Sequence, residues 1–195
     1  MAYRQKSDYD DVRIDGYTIL PAGGYVCRIL KAEETQSKSG KDMLKIGFDI
    51  TEGERANYFR DLFNERKDAA EDPASVKWPF NGTKWILYET SDGKTARGFK
   101  GFCTALEDSG VTVWSRDKEL LINNLKDAQV GIIFRREESE YNNKTSWRTV
   151  PWAFRSVESI RSGDFSVPED KPLAPKDTSW QEVDTFSAAE DDIPF

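Results

Sequence analysis

Cations and aromatic side chains interleave along this 195-residue chain. Arg135 and Arg136 end an apolar run, Tyr141 and Lys144 flank two asparagines, and Trp147, Arg148 and Trp152 follow shortly after. Earlier, Lys38 and Lys41 occupy a polar turn, Arg28 and Lys45 lie in the runs on either side of it, and Trp78, Trp85 and Tyr88 come next. Guanidinium and ammonium groups pair with phosphates, and indole and phenol rings stack on bases. Stacking is worth about 1–3 kcal/mol per base, so two or three aromatics weigh as much as the salt-sensitive charges. Six tryptophans are many for a chain of 37% hydrophobic content. Half or more of these aromatic candidates are expected in the core, and Phe48, Phe99, Phe102 and Phe134 fit its apolar faces and are set aside. Trp147, beside Arg148 and close to a polar turn, is the first choice for stacking, and Trp78, beside Pro79 in an irregular loop, the second.

Other chemistries find less support. The chain has no histidine, which excludes a Ser-His-Asp triad and a histidine-ligated zinc site. Cys27 and Cys103 are too far apart for a local metal knuckle and read as small buried thiols. Asp49, Glu52 and Glu54 are the carboxylates nearest to a magnesium-binding set, but they fall at a strand end and in a turn, where solvated acids are ordinary. No enzyme activity and no cofactor are expected. A fork-acting nuclease, or an adaptor that does not touch DNA, is the alternative.

The net charge of −7 is distributed unevenly. Residues 162–195 hold nine acids and two bases, which accounts for all of it. Residues 1–161 are left with 26 of each sign, enough cations for a basic face. Residues 162–189 are acidic, Ser-rich, interrupted by Pro168, Pro172 and Pro175, and poor in aliphatics. They read as a disordered linker with an average span of about 30 Å. Residues 190–195 end in Asp191, Asp192, Ile193, Pro194 and Phe195. Phe195 suits an apolar pocket, its α-carboxylate a basic partner, and the two aspartates a basic rim. The tip is therefore read as a docking peptide for partner proteins, and the acidic tail as a weak competitor for the basic groove.

Positioning the aromatic–basic set falls to the elements of residues 1–161. Residues 25–32 and 43–50 read as a β-hairpin around a turn at 37–42, with Leu44, Ile46, Phe48 and Ile50 on one face. Residues 56–63 have roughly helical spacing. Residues 85–89 read as a third strand, and Phe99, Phe102, Cys103 and Leu106 form the stripe of an amphipathic helix that Gly110 ends. Residues 130–136 and 147–157 read as strands four and five, joined through a turn at 141–144. Pro151 lacks an N–H, so the fifth strand must be an edge or carry a bulge there. Three strands, a helix and two strands is the element order of an oligonucleotide-binding (OB-fold-like) five-stranded barrel, so the expected class is mainly β with one main helix.

The tip resembles the C-terminal end of bacterial single-stranded DNA-binding proteins, whose acidic Ile-Pro-Phe or Leu-Pro-Phe endings recruit replication and recombination enzymes. The body is similar to single-stranded DNA-binding proteins of phages and prophages of Gram-positive bacteria. The matching stretches are residues 24–34, 99–107 and 154–161. This resemblance implies sequence-independent binding of single-stranded DNA in replication, recombination and repair, with partners recruited through the tip. It implies no particular site residues. Residues 1–161 are then the DNA-binding domain, free to form a homo-oligomer. With no apolar run long enough to span a membrane and no signal segment at the N-terminus, a cytoplasmic location in a bacterial cell or phage host is expected.

Overall fold

The computed structural model describes residues 19–141 and 144–174. The first hairpin follows from its side-chain pattern. β1 (Gly23–Gln36) and β2 (Asp42–Ile50) pair antiparallel around a turn closed by the Gly40 N–H donating to the Ser37 carbonyl at 2.9 Å. Leu44, Ile46, Phe48 and Ile50 alternate onto one face and are fully buried with Cys27 and Ile29. After β2, α1 (Tyr58–Ala69) sends Phe59 into the core beside Phe48 and Phe134, at ring distances of 5.7 and 6.1 Å. β3 (Thr83–Leu87) then pairs with β2.

α2 (Arg97–Asp108) buries Phe99, Phe102, Cys103 and Leu106, the stripe expected from their spacing. Its end is a Schellman motif. Gly110 adopts φ 85°, its N–H donates to the Glu107 carbonyl at 2.9 Å, and the Val111 N–H donates to the Leu106 carbonyl at 3.0 Å. A short α3 (Ile122–Leu125) leads into β4 (Gln129–Tyr141), which pairs with β5 (Lys144–Arg155). Ser156 caps α4 (Val157–Ser162), its hydroxyl accepting from the Ser159 N–H at 3.1 Å.

The sheet is open, which corrects the expected barrel. Five antiparallel strands lie in the order β3-β2-β1-β4-β5, and β3 and β5 are edges with no backbone ladder between them. The body is a mixed α/β domain, with α1 and α2 of 12 residues each, rather than mainly β with one main helix. The physical reasons lie in the edges. Pro151 offers no N–H to a further partner. The register shifts between Ile133↔Ala153 and Phe134↔Pro151, so Trp152 is an extra residue that bends β5. The edges are joined instead by the Lys84 ammonium, which donates to the Pro151 carbonyl at 3.0 Å. α2 lies over the gap, packing on both β3 and β5, with Phe102 edge-on to Phe154 at 4.9 Å.

The register sends the two hairpins in opposite directions. β1 pairs with β4 only over Gly23–Arg28 and Gln129–Phe134. The β1–β2 arm therefore runs past this shared segment at one end of the sheet, and the β4–β5 arm runs past it at the other.

Residues after α4 continue across the sheet. A Cβ on Gly24 would come within 2.5 Å of the Phe165 ring, so the absent side chain lets Phe165 seat there. Lys171 then bridges to Glu137 in parallel: its N–H donates to the Arg136 carbonyl and its carbonyl accepts from the Glu138 N–H, both at 2.9 Å. The Leu173 N–H donates to Glu138 Oε2 at 3.1 Å. This strap pairs with the stretch of β4 that extends beyond β1, where backbone groups would otherwise be open. Of the linker read over residues 162–189, Ser162 ends α4 and residues 163–174 form this strap; its remainder lies outside the described residues, as does the docking tip with Asp191, Asp192, Ile193, Pro194 and Phe195. Among the described residues no helix is long and apolar enough to cross a membrane.

Candidate nucleic-acid interface

A groove of about 630 Å³ lies between α1, the loop at 79–81 and the β4–β5 arm. The segment before β1 ties its floor together: the Leu20 N–H donates to the Tyr58 hydroxyl at 3.2 Å, and the Thr149 hydroxyl to the Leu20 carbonyl at 2.5 Å. Arg66, Arg136 and Arg148 line the groove with Tyr58, Phe80 and Trp147, and no described lining residue is Asp or Glu. In a chain with more acids than bases, this is a local concentration of positive charge beside aromatic rings.

The arginines are laid against rings. The Arg136 guanidinium lies 5.3 Å from the Trp147 ring centroid, and that of Arg148 lies 5.6 Å from Phe80. On the alternate side of β4, Arg135 lies 5.7 Å from Trp152 and is ion-paired to Glu137. Such stacking holds the flat guanidinium in place and leaves its N–H groups directed outward. The Nε atoms of Arg135 and Arg148 are buried without a hydrogen-bond partner among the described residues. Asp170 of the strap approaches Arg136 Nε at 3.9 Å, so one of the three groove cations already has an acid nearby. Guanidinium groups in this setting suit phosphate oxygens, and the indole and phenyl rings suit bases.

The fold brings Arg136, Trp147 and Arg148 of the expected set to the groove, Arg136 and Trp147 from one face of the arm and Arg148 from the other, which also bears Arg135 and Trp152. Tyr141 (70% exposed) and Lys144 stand at that arm's tip. Trp85 joins from β3, tilted against Phe80 at 5.4 Å. The other candidates go elsewhere. Lys38 and Lys41 are at the tip of the β1–β2 arm, at the opposite end of the sheet. Arg28 is exposed on β1, and Lys45 is ion-paired to Glu33 at 3.0 Å. Tyr88 packs edge-on against Phe99 at 4.8 Å and donates its hydroxyl to Glu34 at 3.0 Å. Burial, followed by this bond, pushes its pKa well up. Trp78 holds the 79–82 loop: its indole N–H donates to the Gly82 carbonyl at 3.0 Å, and its ring packs on Phe63 at 5.5 Å.

Phe80, 46% exposed, and Arg66 were not among the expected residues. Phe80 belongs to the irregular aromatic segment that contains Trp78, which was its available signal. Arg66 had none, since only the docking of α1 turns it into the groove.

Two of the three acids considered for metal binding, Asp49 and Glu52, have structural partners. Asp49 Oδ1 accepts from the Ile50 and Phe59 N–H groups at 2.9 and 3.0 Å, and Glu52 accepts two bonds from Arg161 at 3.1 and 2.5 Å. Among the described residues no group of three or more Cys, Asp or Glu is arranged to hold a metal ion. Burial raises the Cys103 thiol to about 11 and the Cys27 thiol well above its ordinary value, so neither is an activated nucleophile. The sequence matches no protein-family model, and none of the curated proteins matches it significantly.

Proposed function

We propose that this protein binds single-stranded DNA independently of sequence, through the groove between α1, Phe80 and the β4–β5 arm, and acts in replication or recombination without catalysing a reaction. The observation that carries this reading is the lining: Arg66, Arg136 and Arg148 beside Tyr58, Phe80 and Trp147, with no Asp or Glu among the described lining residues. Phosphates take the guanidinium groups, and bases take the rings. A duplex keeps its bases paired and stacked inside, so a groove that offers rings to base faces favours a single strand. The resemblance of the body to phage-encoded single-strand binders supports the same reading.

The acidic segment with Asp191, Asp192, Ile193, Pro194 and Phe195 is proposed to recruit replication and recombination proteins, since carboxylates beside an apolar anchor suit a basic-rimmed pocket. Titration of fluorescent oligo(dT) at several salt concentrations tests DNA binding. Salt-sensitive binding with tryptophan quenching is expected, and magnesium-dependent cleavage would instead identify a nuclease. For the tip, binding of the wild type to replication proteins is compared with that of a Phe195 deletion. Equal binding would remove the recruiting role.

A further inference from the structure

We propose that the β4–β5 arm carries a second base-stacking site, centred on Trp152 on the arm face opposite Trp147, and that a single strand held in the groove continues past Arg148 to reach it. The proposal rests on the single-strand reading above and adds a path to it.

Strand alternation separates the two sites. Arg136 pairs across the ladder with Thr149, and its guanidinium lies over Trp147, two residues before Thr149. Arg135 points to the other side of β4, and its guanidinium lies over Trp152. One arm thus bears two arginine–indole pairs, one on each face. The second exists because of the bulge. Trp152 is the residue left over where the pairing moves from Ala153 to Pro151, and bulges characteristically re-aim a side chain. It stands 44% exposed, unusual for so large an apolar ring.

The support beneath the indole is built. Arg135 is ion-paired to Glu137, with side-chain exposures of 18% and 13%, which holds the guanidinium under the ring. A cation fixed on an indole leaves the ring as a platform for a third planar group, and a nucleobase is the matching chemistry. The route between the indoles runs past Arg148, ahead of the Lys84 bond that occupies the β5 edge at the Pro151 carbonyl. Arg148 stacks on Phe80 in the groove and, paired across the ladder with Glu137, stands on the face that bears Arg135. A strand passing from Trp147 to Trp152 therefore meets a cation between the two rings and disturbs no ladder.

The test is a length series of oligo(dT), titrated at one salt concentration against the full-length wild type and the variants Trp147→Ala, Trp152→Ala and Trp152→Phe. Trp152 is exposed on a bulge, so its substitution spares the core, and the phenylalanine variant keeps a ring. The shortest oligomers that bind should lose affinity with Trp147→Ala and not with Trp152→Ala. Longer oligomers should bind the wild type more tightly, and Trp152→Ala should remove about tenfold of that gain, the size of one stacked base. Trp152→Phe should restore most of it. If Trp152→Ala binds every length like the wild type while Trp147→Ala is weakened, the second site is overturned and the single-strand reading stands. If the wild type binds no length, that reading falls and takes the second site with it.

Discussion

Glu137 sits directly opposite Arg148 in the β4–β5 ladder, yet its carboxylate binds Arg135 on its own strand. Among the described residues, Arg148 has the Phe80 ring as its partner and no ion pair. An acid that could have neutralised a groove cation is thus held by a cation on the same strand. Arg148→Ala is expected to weaken oligo(dT) binding about tenfold and to reduce the slope of log K against log salt by about 0.7, the value of one phosphate contact to a single strand. Glu137→Gln should act in the opposite sense on binding, raising affinity at low salt. It should also lower the unfolding free energy by about 1.5–3 kcal/mol through the lost charged hydrogen bond, which urea denaturation measures.

The strap places the functional boundary of the body beyond α4. A chain ending at Ala174 keeps the backbone bonds of Lys171 and the packing of Phe165 over Gly24, whereas one ending at Arg161 loses both. The first should unfold at the temperature of the full chain. The second should lose about 2–4 kcal/mol, since at least two backbone hydrogen bonds and an aromatic contact go. Hydrogen exchange at the Glu138 amide reads the same loss locally, and equal protection in the two truncated chains would show the strap to be dispensable.

Asp49 links the start of α1 to pH. Its carboxyl is buried at 2% exposure, and desolvation raises its pKa above the ordinary value despite the two backbone donors on Oδ1. A raised pKa means that the folded protein holds the proton more tightly than the unfolded chain. The associated stability is fully present below the unfolded pKa of about 3.9 and is lost as pH rises through the folded value. Asp49→Asn retains an oxygen to accept both N–H groups and should remove this part of the pH dependence. Asp49→Ala strands two buried donors and should cost about 1–3 kcal/mol for each. Denaturant titrations between pH 3 and pH 7, a range of about 4 units around the carboxylate values, measure both.

Much of the local structure was legible in the residues themselves. The period-two alternation of Leu44, Ile46, Phe48 and Ile50, the helical stripe of Phe99, Phe102, Cys103 and Leu106, and Gly110 at the helix end all depend on near neighbours. Pro151 marked its strand as an edge or bulged one, and it is both. The closed barrel was not realised, because closure depends on whether β3 and β5 meet in register, which no alternation within either strand encodes. The scatter of the expected cations has the same origin. The short overlap of β1 with β4 sends Lys38 and Lys41 to one end of the sheet and Lys144 to the other, and only inter-strand register decides it. Trp78 and Tyr88 carry the right side chains for stacking, but their polar atoms are committed to Gly82 and Glu34.

Salt titration of oligo(dT) binding by residues 1–174 tests the central claim most directly, because it isolates the groove from residues 175–195 and from any partner that docks on the tip. Binding should quench tryptophan fluorescence and weaken with salt at a slope near −2, the value for Arg66, Arg136 and Arg148 each meeting one phosphate, at about −0.7 per contact. Absence of binding at low salt, or binding that does not change with salt, would contradict it.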